Sequence, residues 1–211
     1  PADYLTVTVS CPICRDTGYD GSRLCACVKR RAAEIQKQDL STLLPVDKET
    51  FSTFRLDYYS SQPDNRFGLS PRQMAQANLQ RCRSFAEHFG SSYENLLLYG
   101  SAGLGKTFLS SCIARTVTER GFSVTYDTAI SIFDQYNAVK FRTGDPAAAA
   151  HAVERFRSAD LLIIDDLGTE MPSSFHTSCL YDLISRRLMS RKPTILSTNL
   201  LPAELENRYS Q

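Results

Sequence analysis

From residue 95 onward, short apolar runs alternate with longer segments whose apolar positions recur at helical spacing. The runs NLLLY (95–99), SVTYD (123–127), LLIID (161–165) and TILST (194–198) predict strands. FLSSCIARTVTERG (108–121) and the segments at about 128–142, 146–157 and 175–189 predict helices, the AAAA run at 147–150 simply favouring one. Alternation of this kind implies right-handed crossovers and a parallel sheet covered on both faces. Upstream, Ser70 before Pro71 predicts a helix start, because the serine can cap free backbone N–H groups and proline loses nothing at the first helical position. Met74, Leu79, Cys82, Phe85 and Phe89 follow at roughly helical spacing, and Gly90 supplies the stop. That helix is expected to lie against the larger body.

The remaining amino-terminal part is different in character. Residues 1–40 divide into a cysteine-rich knot, Cys11 to Cys27, and a polar stretch, VKRRAAEIQKQ, that predicts a short helix. Residues 41–211 then form the main domain. Its entry, Ser41 to Ser61, carries Pro45, Phe51, Phe54, Tyr58 and Tyr59 and reads as a linker that docks rather than floats. No internal repeat is visible.

Length and composition narrow the class. With 211 residues, 42% of them apolar, the chain suits one α/β domain plus a small appendage and excludes a disordered or collagen-like polymer. No uncharged apolar run approaches the roughly 18 residues that a membrane span needs. The start at Pro1 lacks the basic-then-apolar pattern of a signal peptide, and the chain reads as a fragment or processed form. A formal charge of +1 makes no bulk case for nucleic acid, although a local basic patch stays open. Seven cysteines, an odd count with four crowded into residues 11–27, fit a reducing cytoplasmic setting better than a secreted disulfide framework.

GSAGLGKT, comprising Gly100, Ser101, Ala102, Gly103, Leu104, Gly105, Lys106 and Thr107, fits the eight-position phosphate-binding pattern and sits between a predicted strand and a predicted helix. Gly103 and Gly105 allow the backbone to curve closely around phosphate, and the helix N-terminus presents positive partial charge to the anion. Lys106 is expected to reach the terminal phosphates and Thr107 to ligate Mg²⁺. LLIIDD (161–166) is a buried strand ending in two carboxylates, poor core material unless something charged is nearby. Asp165 is the expected magnesium-side carboxylate and Asp166 is placed to polarise an attacking water. The plainer alternative is that either acid only caps the turn at Leu167 and Gly168. Asn199, at the end of TILSTN, can orient water or sense the terminal phosphate, or can simply form an Asx turn.

Cys11 and Cys14 (CPIC), followed by Cys25 and Cys27 (CAC), form the one local four-ligand set, since His88, His151 and His176 lie elsewhere. Four thiolates can surround Zn²⁺ tetrahedrally, with Thr17-Gly18 and Asp20-Gly21 turning a small hairpin between the pairs. Iron–sulfur ligation, or a redox pair of Cys11 with Cys14, is the rival. Arg15, Arg23, Lys29, Arg30 and Arg31 outnumber Asp16 and Asp20 around the knot, leaving nucleic-acid contact, a protein-docking surface and a solubilising face as equal readings. A second basic stretch, Arg186, Arg187, Arg191 and Lys192, reads as a solvated face, with an assembly or DNA surface as its rival.

CPICRDTG with CAC, GSAGLGKT, LLIIDDLGTE and PTILSTNL, taken together and in this order, resemble the bacterial replicative-helicase loaders of the DnaC type and the similar ATPase subunits of insertion elements, both of the AAA+ class. The resemblance covers nearly the whole chain. It implies a P-loop AAA+ parallel sheet with flanking helices after a small Cys₄ zinc module. The activity it implies is that of a cytoplasmic ATPase using ATP and Mg²⁺, which assembles on a replicative helicase and helps place it on single-stranded DNA. By matching position it assigns Lys106 and Thr107 to phosphate and magnesium, Asp165 to magnesium, Asp166 to the catalytic acidic position and Asn199 to the first sensor. It also puts adenine near the segment entering the domain, where Phe51 or Phe54 is a candidate contact and core packing the alternative. The second acid is Asp rather than the Glu of many AAA+ enzymes, and the shorter reach suggests slow, partner-gated turnover. Members continue past LENRYSQ to an arginine that reaches a neighbouring subunit's nucleotide; Arg208 precedes that position and is not assigned the role. Two other functions fit the same motifs: a transposition helper ATPase acting on duplex DNA, and an ATP-binding adaptor with little turnover.

Overall fold

A computed structural model describes residues 9–63 and 68–210; residues 1–8, which open the expected amino-terminal module, and Gln211 lie outside the described residues. The main sheet has four parallel strands, β3 (Leu96–Tyr99), β4 (Val124–Thr128), β5 (Leu161–Leu167) and β6 (Thr194–Thr198), in the order β3-β6-β5-β4. Ahead of it, β1 (Tyr19–Asp20) and β2 (Arg23–Leu24) form the small antiparallel hairpin that the Gly18 and Gly21 turns predict.

β5 is central, and its apolar run explains why. Leu161 and Ile163 point into the core shared with α1 (Ala26–Ser41), α2 (Pro71–Glu87) and α3 (Lys106–Glu119). Leu162 and Ile164 point into the opposite core, filled by α4 (Ala129–Phe141), α5 (Pro146–Ser158) and α6 (Ser174–Met189). A strand buried on both faces has no use for alternation, whereas β3, at the edge, alternates half-buried and exposed positions. Ser70 caps α2 as expected: its hydroxyl accepts from Gln73 N–H and the Gln73 side chain accepts from Ser70 N–H, a reciprocal capping box.

Three features depart from the sequence expectations. The polar stretch after the cysteines is a full helix, α1, running through to Ser41 with Leu40 buried in the main core, so the division expected at residue 40 falls on a continuous element. The docking linker behaves as expected, with Leu44 and Val46 buried and Arg115 of α3 donating to the Val46 carbonyl at 3.0 Å. Second, an additional helix, α7 (Pro202–Tyr209), follows β6; Pro202 opens it and Glu204 accepts the Leu201 N–H at 2.7 Å. Third, Arg187 is not part of a solvated face. It is 1% exposed and donates to the carbonyls of Phe156, Ala159 and Pro193 and to Thr194 Oγ1, filling the acceptors left where α5 ends and β6 begins. Burial lowers its pKa to about 10.

Candidate functional site

In a parallel sheet the carboxyl ends of the strands share one edge, and the loops leaving them share one crevice. Here β3 delivers the glycine loop, β5 the two acids and β6 the polar tip, so residues 93 positions apart meet: Lys106 Nζ donates to Asn199 Oδ1 at 2.8 Å. The same ammonium donates to the carbonyls of Gly100 at 2.7 Å and Ser101 at 3.0 Å. Its three donors are thus satisfied by groups lining the loop.

The loop has the shape its sequence predicts. Ser101, Ala102, Gly103 and Leu104 are exposed, and Gly105 opens α3 with a left-handed φ of 82°. A Cβ at Gly105 would lie 3.0 Å from Tyr59 Oη and 3.1 Å from Phe54 Cε2, so the left-handed conformation favours glycine and a side chain would crowd both rings. Phe54 stacks on Tyr59, with ring centroids 5.8 Å apart, and meets Phe108 edge-on; Tyr59 in turn donates to the Leu104 carbonyl at 3.1 Å. Of the two aromatic candidates, Phe54 therefore sits against the glycine loop. Phe51 instead packs beneath Arg83 of α2, whose guanidinium lies 5.6 Å from its ring centroid and donates to its carbonyl. In the sequence only the aromatic grouping at 51–59 marks Tyr59 as part of this wall.

Thr107 Oγ1 donates to Asp165 Oδ2 at 3.0 Å, bringing the two expected magnesium-side groups together. Asp165 is 3% exposed. Its Oδ2 also accepts from Tyr126 Oη at 2.7 Å, and its Oδ1 accepts from Ser197 Oγ and from Asp166 N–H. Burial, and then the hydrogen bond to the carboxylate, push the Tyr126 phenol well above the ordinary tyrosine range, so it stays a neutral donor. The β5–β6 register is interrupted between Ile164 and Leu167, and Asp166 takes a left-handed φ of 53°. That bulge sends Asp165 inward and leaves Asp166 half-exposed, with its carboxylate in no hydrogen bond or ion pair among the described residues. A loop of backbone donors, a cationic side chain, a hydroxyl–carboxylate pair and an uncommitted carboxylate can together bind a triphosphate with a hard divalent cation and take a proton from water.

The loop after the acids is tied down separately. Glu170, 6% exposed, accepts from Gly168 N–H at 2.9 Å, from Arg208 Nε at 3.3 Å and from Tyr209 Oη. Burial opposes its charge, but the hydrogen bonds from Tyr209, the backbone and Arg208 outweigh it and hold the carboxyl below its usual range. Arg208, set aside in the sequence as a trans arginine, is engaged within its own chain.

At the other end of the molecule, the Sγ atoms of Cys11, Cys14, Cys25 and Cys27 all lie within 4.8 Å of one another, with Cys11 to Cys25 at 3.8 Å and Cys14 to Cys27 at 3.4 Å. All are free thiols. Metal–sulfur bonds of about 2.3 Å in a tetrahedron place sulfurs about 3.8 Å apart, so the cluster can hold a metal ion. Backbone N–H groups of Cys14 and Ile13 lower the Cys11 pKa to about 7, whereas the hydrogen bond to Cys14, then burial, raise that of Cys27 to about 12, the two ends of one set of interacting sulfurs. Asp16 braces the first knuckle by accepting from the N–H groups of Ser10 and Cys11.

The profile of the IstB-like ATP-binding proteins matches residues 64–210. The replicative helicase loader DnaC of Escherichia coli K12 is 28% identical over 123 residues, covering 57% of this chain and 49% of the loader. A putative ATP-binding protein in an insertion sequence of Mycobacterium tuberculosis is 28% identical over 116 residues, covering 52% and 42%. The chain thus spans about half or less of the length of these relatives. Among solved structures, a DnaC helicase loader aligns with a TM-score of 0.56 at 22% identity over 75% of this chain and 88% of that one. DnaI aligns with a TM-score of 0.59 at 20% identity, covering 78% and 79%. Within the described residues no helix is long and apolar enough to cross a membrane. With the profile match spanning residues 64–210, the chain belongs to the IstB-like ATP-binding proteins, and its parallel sheet with flanking helices has the fold of the DnaC and DnaI structures.

Proposed function

We propose that this chain is the ATPase of a replicative-helicase loader, working in the cytoplasm, which binds Mg-ATP in the crevice of the sheet, self-assembles in an ATP-dependent way and helps place a helicase on single-stranded DNA. The observation that carries the proposal is the convergence of Lys106, Thr107, Asp165 and Asn199, from three strand ends, on one crevice. DnaC, which shares the fold, is a helicase loader by name, so the partners rest on that relative and the chemistry on this crevice.

In this proposal, residues 100–107 wrap the phosphates with backbone N–H groups, and Lys106 exchanges its loop carbonyls for phosphate oxygens. Thr107 and Asp165 hold magnesium, whose role is to neutralise charge developing on the phosphates. Asp166 accepts the proton of the attacking water, and Asn199, already hydrogen-bonded to Lys106, reports the state of the terminal phosphate. Phe54, backed by Tyr59, lies along the adenine side, while Phe51, packed under Arg83, supports the segment from behind. The four cysteines hold one structural zinc ion, which organises the 1–40 module ahead of the 41–211 ATPase domain, α1 running continuously from the one into the other.

ATP turnover and helicase binding, measured for the protein with its partner helicase and single-stranded DNA, test the proposal. Lys106→Ala should lose nucleotide binding, and Asp166→Asn should keep binding while losing turnover. Equal turnover by both variants and the parent would reject the assignments, and absence of turnover in a complete assembly would turn the chain into an ATP-dependent adaptor.

A second reading is favoured by the family match itself: the profile and the mycobacterial relative both point to insertion elements. A transposition helper would prefer double-stranded over single-stranded DNA and would not bind the replicative helicase.

A further inference from the structure

Asp165 is held by four donors. Oδ1 accepts from Ser197 Oγ and, at 3.2 Å, from Asp166 N–H; Oδ2 accepts from Thr107 Oγ1 at 3.0 Å and from Tyr126 Oη at 2.7 Å. Together they fill the acceptor directions of a carboxylate, so a cation or its water can approach only if one donor yields. The four differ in freedom. Asp166 N–H is backbone, and Ser197, fully buried on β6, also accepts from that same N–H. Thr107 lies at the exposed start of α3, where its hydroxyl can rotate toward a ligand. Tyr126 cannot move in this way, because it is 8% exposed and its ring belongs to the core beneath α3 with Val124, Leu161 and Ile163.

The placement of Tyr126 is also specific. Its strand, β4, pairs with β5 so that Tyr126 lies opposite Ile163 and Thr128 opposite Asp165; the long side chain reaches diagonally, two positions along, to the acid. Phenylalanine would fill the same core volume. The hydroxyl has Asp165 as its one hydrogen-bond partner among the described residues.

We propose that Tyr126 is a positioning residue for the magnesium-side carboxylate: its buried hydroxyl pins Asp165 Oδ2, so that the carboxylate keeps its orientation when Thr107 turns away to the metal. The proposal rests on the crevice being a Mg-ATP site. Outer partners that orient a metal-side ligand typically change metal affinity by about 10-fold or more when removed.

The test compares the parent protein with Tyr126→Phe, Asp165→Asn and the double variant, using a fluorescent ATP analogue titrated with Mg²⁺ and, separately, in EDTA. Tyr126→Phe should keep its melting temperature within a few degrees and its metal-free nucleotide affinity, while needing about 10-fold more Mg²⁺ for half of the magnesium-dependent signal. In the Asp165→Asn background the same substitution should change nothing further. An unaltered Mg²⁺ requirement in Tyr126→Phe, or an equal loss with and without the Asp165 carboxylate, overturns the positioning role while leaving the nucleotide site intact. A parent protein with no magnesium-dependent nucleotide uptake overturns the site itself and this role with it.

Discussion

Between Cys11 and Cys27 every sulfur of the knob comes from one short stretch of chain, whereas the crevice gathers Lys106, Tyr126, Asp165 and Asn199 from four separate segments. The two regions are held by different forces. Around the sulfurs, Ile13, Tyr19 and Leu24 are 64%, 58% and 50% exposed, so the hairpin has almost no apolar interior of its own beyond the cysteines. Backbone turns set its shape: Arg15 N–H donates to the Cys11 carbonyl, Thr17 N–H to that of Cys14 and Cys25 N–H to that of Gly18. Behind the crevice, by contrast, β5 is buried on both faces, and the polar groups are held by the packed sheet. A local cluster of this kind depends on its ion for stability, while a crevice at the edge of a packed sheet depends on the core.

That contrast is sharpest when the ion is removed. Apparent binding energies of structural zinc in small modules are about 10–16 kcal/mol. Chelation, or Cys14→Ser, should therefore unfold the hairpin, seen as loss of about one zinc per chain and new protease cleavage ahead of α1, while the magnesium-dependent nucleotide signal persists. Loss of both together would show that the two regions are one cooperative unit.

The next effect belongs to the crevice alone. Asp166→Asn removes the proposed proton acceptor and, if that role holds, lowers turnover by about 10²–10⁴-fold with nucleotide affinity and the metal content of the cysteine cluster unchanged. A similar scale in stability applies to the core behind it: Ile163→Ala, at a fully buried position, should cost about 2–5 kcal/mol by denaturant unfolding and lower the melting temperature of the ATP-binding body. The cysteine knob should keep its metal below the new transition, because none of its ligands packs on Ile163.

Smaller effects come from the clamp between α7 and the loop after the acids. Arg208→Ala leaves the buried Glu170 carboxylate without its cationic partner and should cost about 2 kcal/mol. The folded-state pKa of Glu170 lies below its ordinary value of 4.5. The unfolded chain therefore takes up the proton first as pH falls, so this stabilisation is complete above about pH 4.5 and is lost as pH drops through the folded pKa. Glu170→Gln should flatten that acid limb of the stability curve, and an unchanged limb would assign the acid sensitivity elsewhere.

The glycine loop, the four strands and the clustering of the four cysteines are all legible in the amino-acid order, because each depends on neighbours close in the chain: glycines at fixed offsets, apolar runs of strand length, cysteine pairs flanking turns. Asp165 and Asp166 were legible for a related reason, since two acids at the end of a buried run announce a partner. Nothing local marked Tyr126, which from its own surroundings is an ordinary β-strand aromatic. Its role in the crevice depends on the β4–β5 register and on a diagonal reach to Asp165. Arg187 reads as basic surface next to Arg186, and only the docking of α5 against the start of β6 turns it into a buried donor to carbonyls. The same holds for Arg208 and Tyr209, which acquire Glu170 as a partner only once α7 folds back on the loop after β5.

The order of residues thus decided which chemistry the chain carries and which elements deliver it, because hydrophobic period, turn conformation and capping act over a few residues. The tertiary structure decided which side chains share an environment. A hydroxyl reaching two positions across a parallel ladder, an arginine filling the acceptors of another helix and a glutamate closing on a carboxy-terminal helix are contacts between segments distant in the chain, set by strand register and packing.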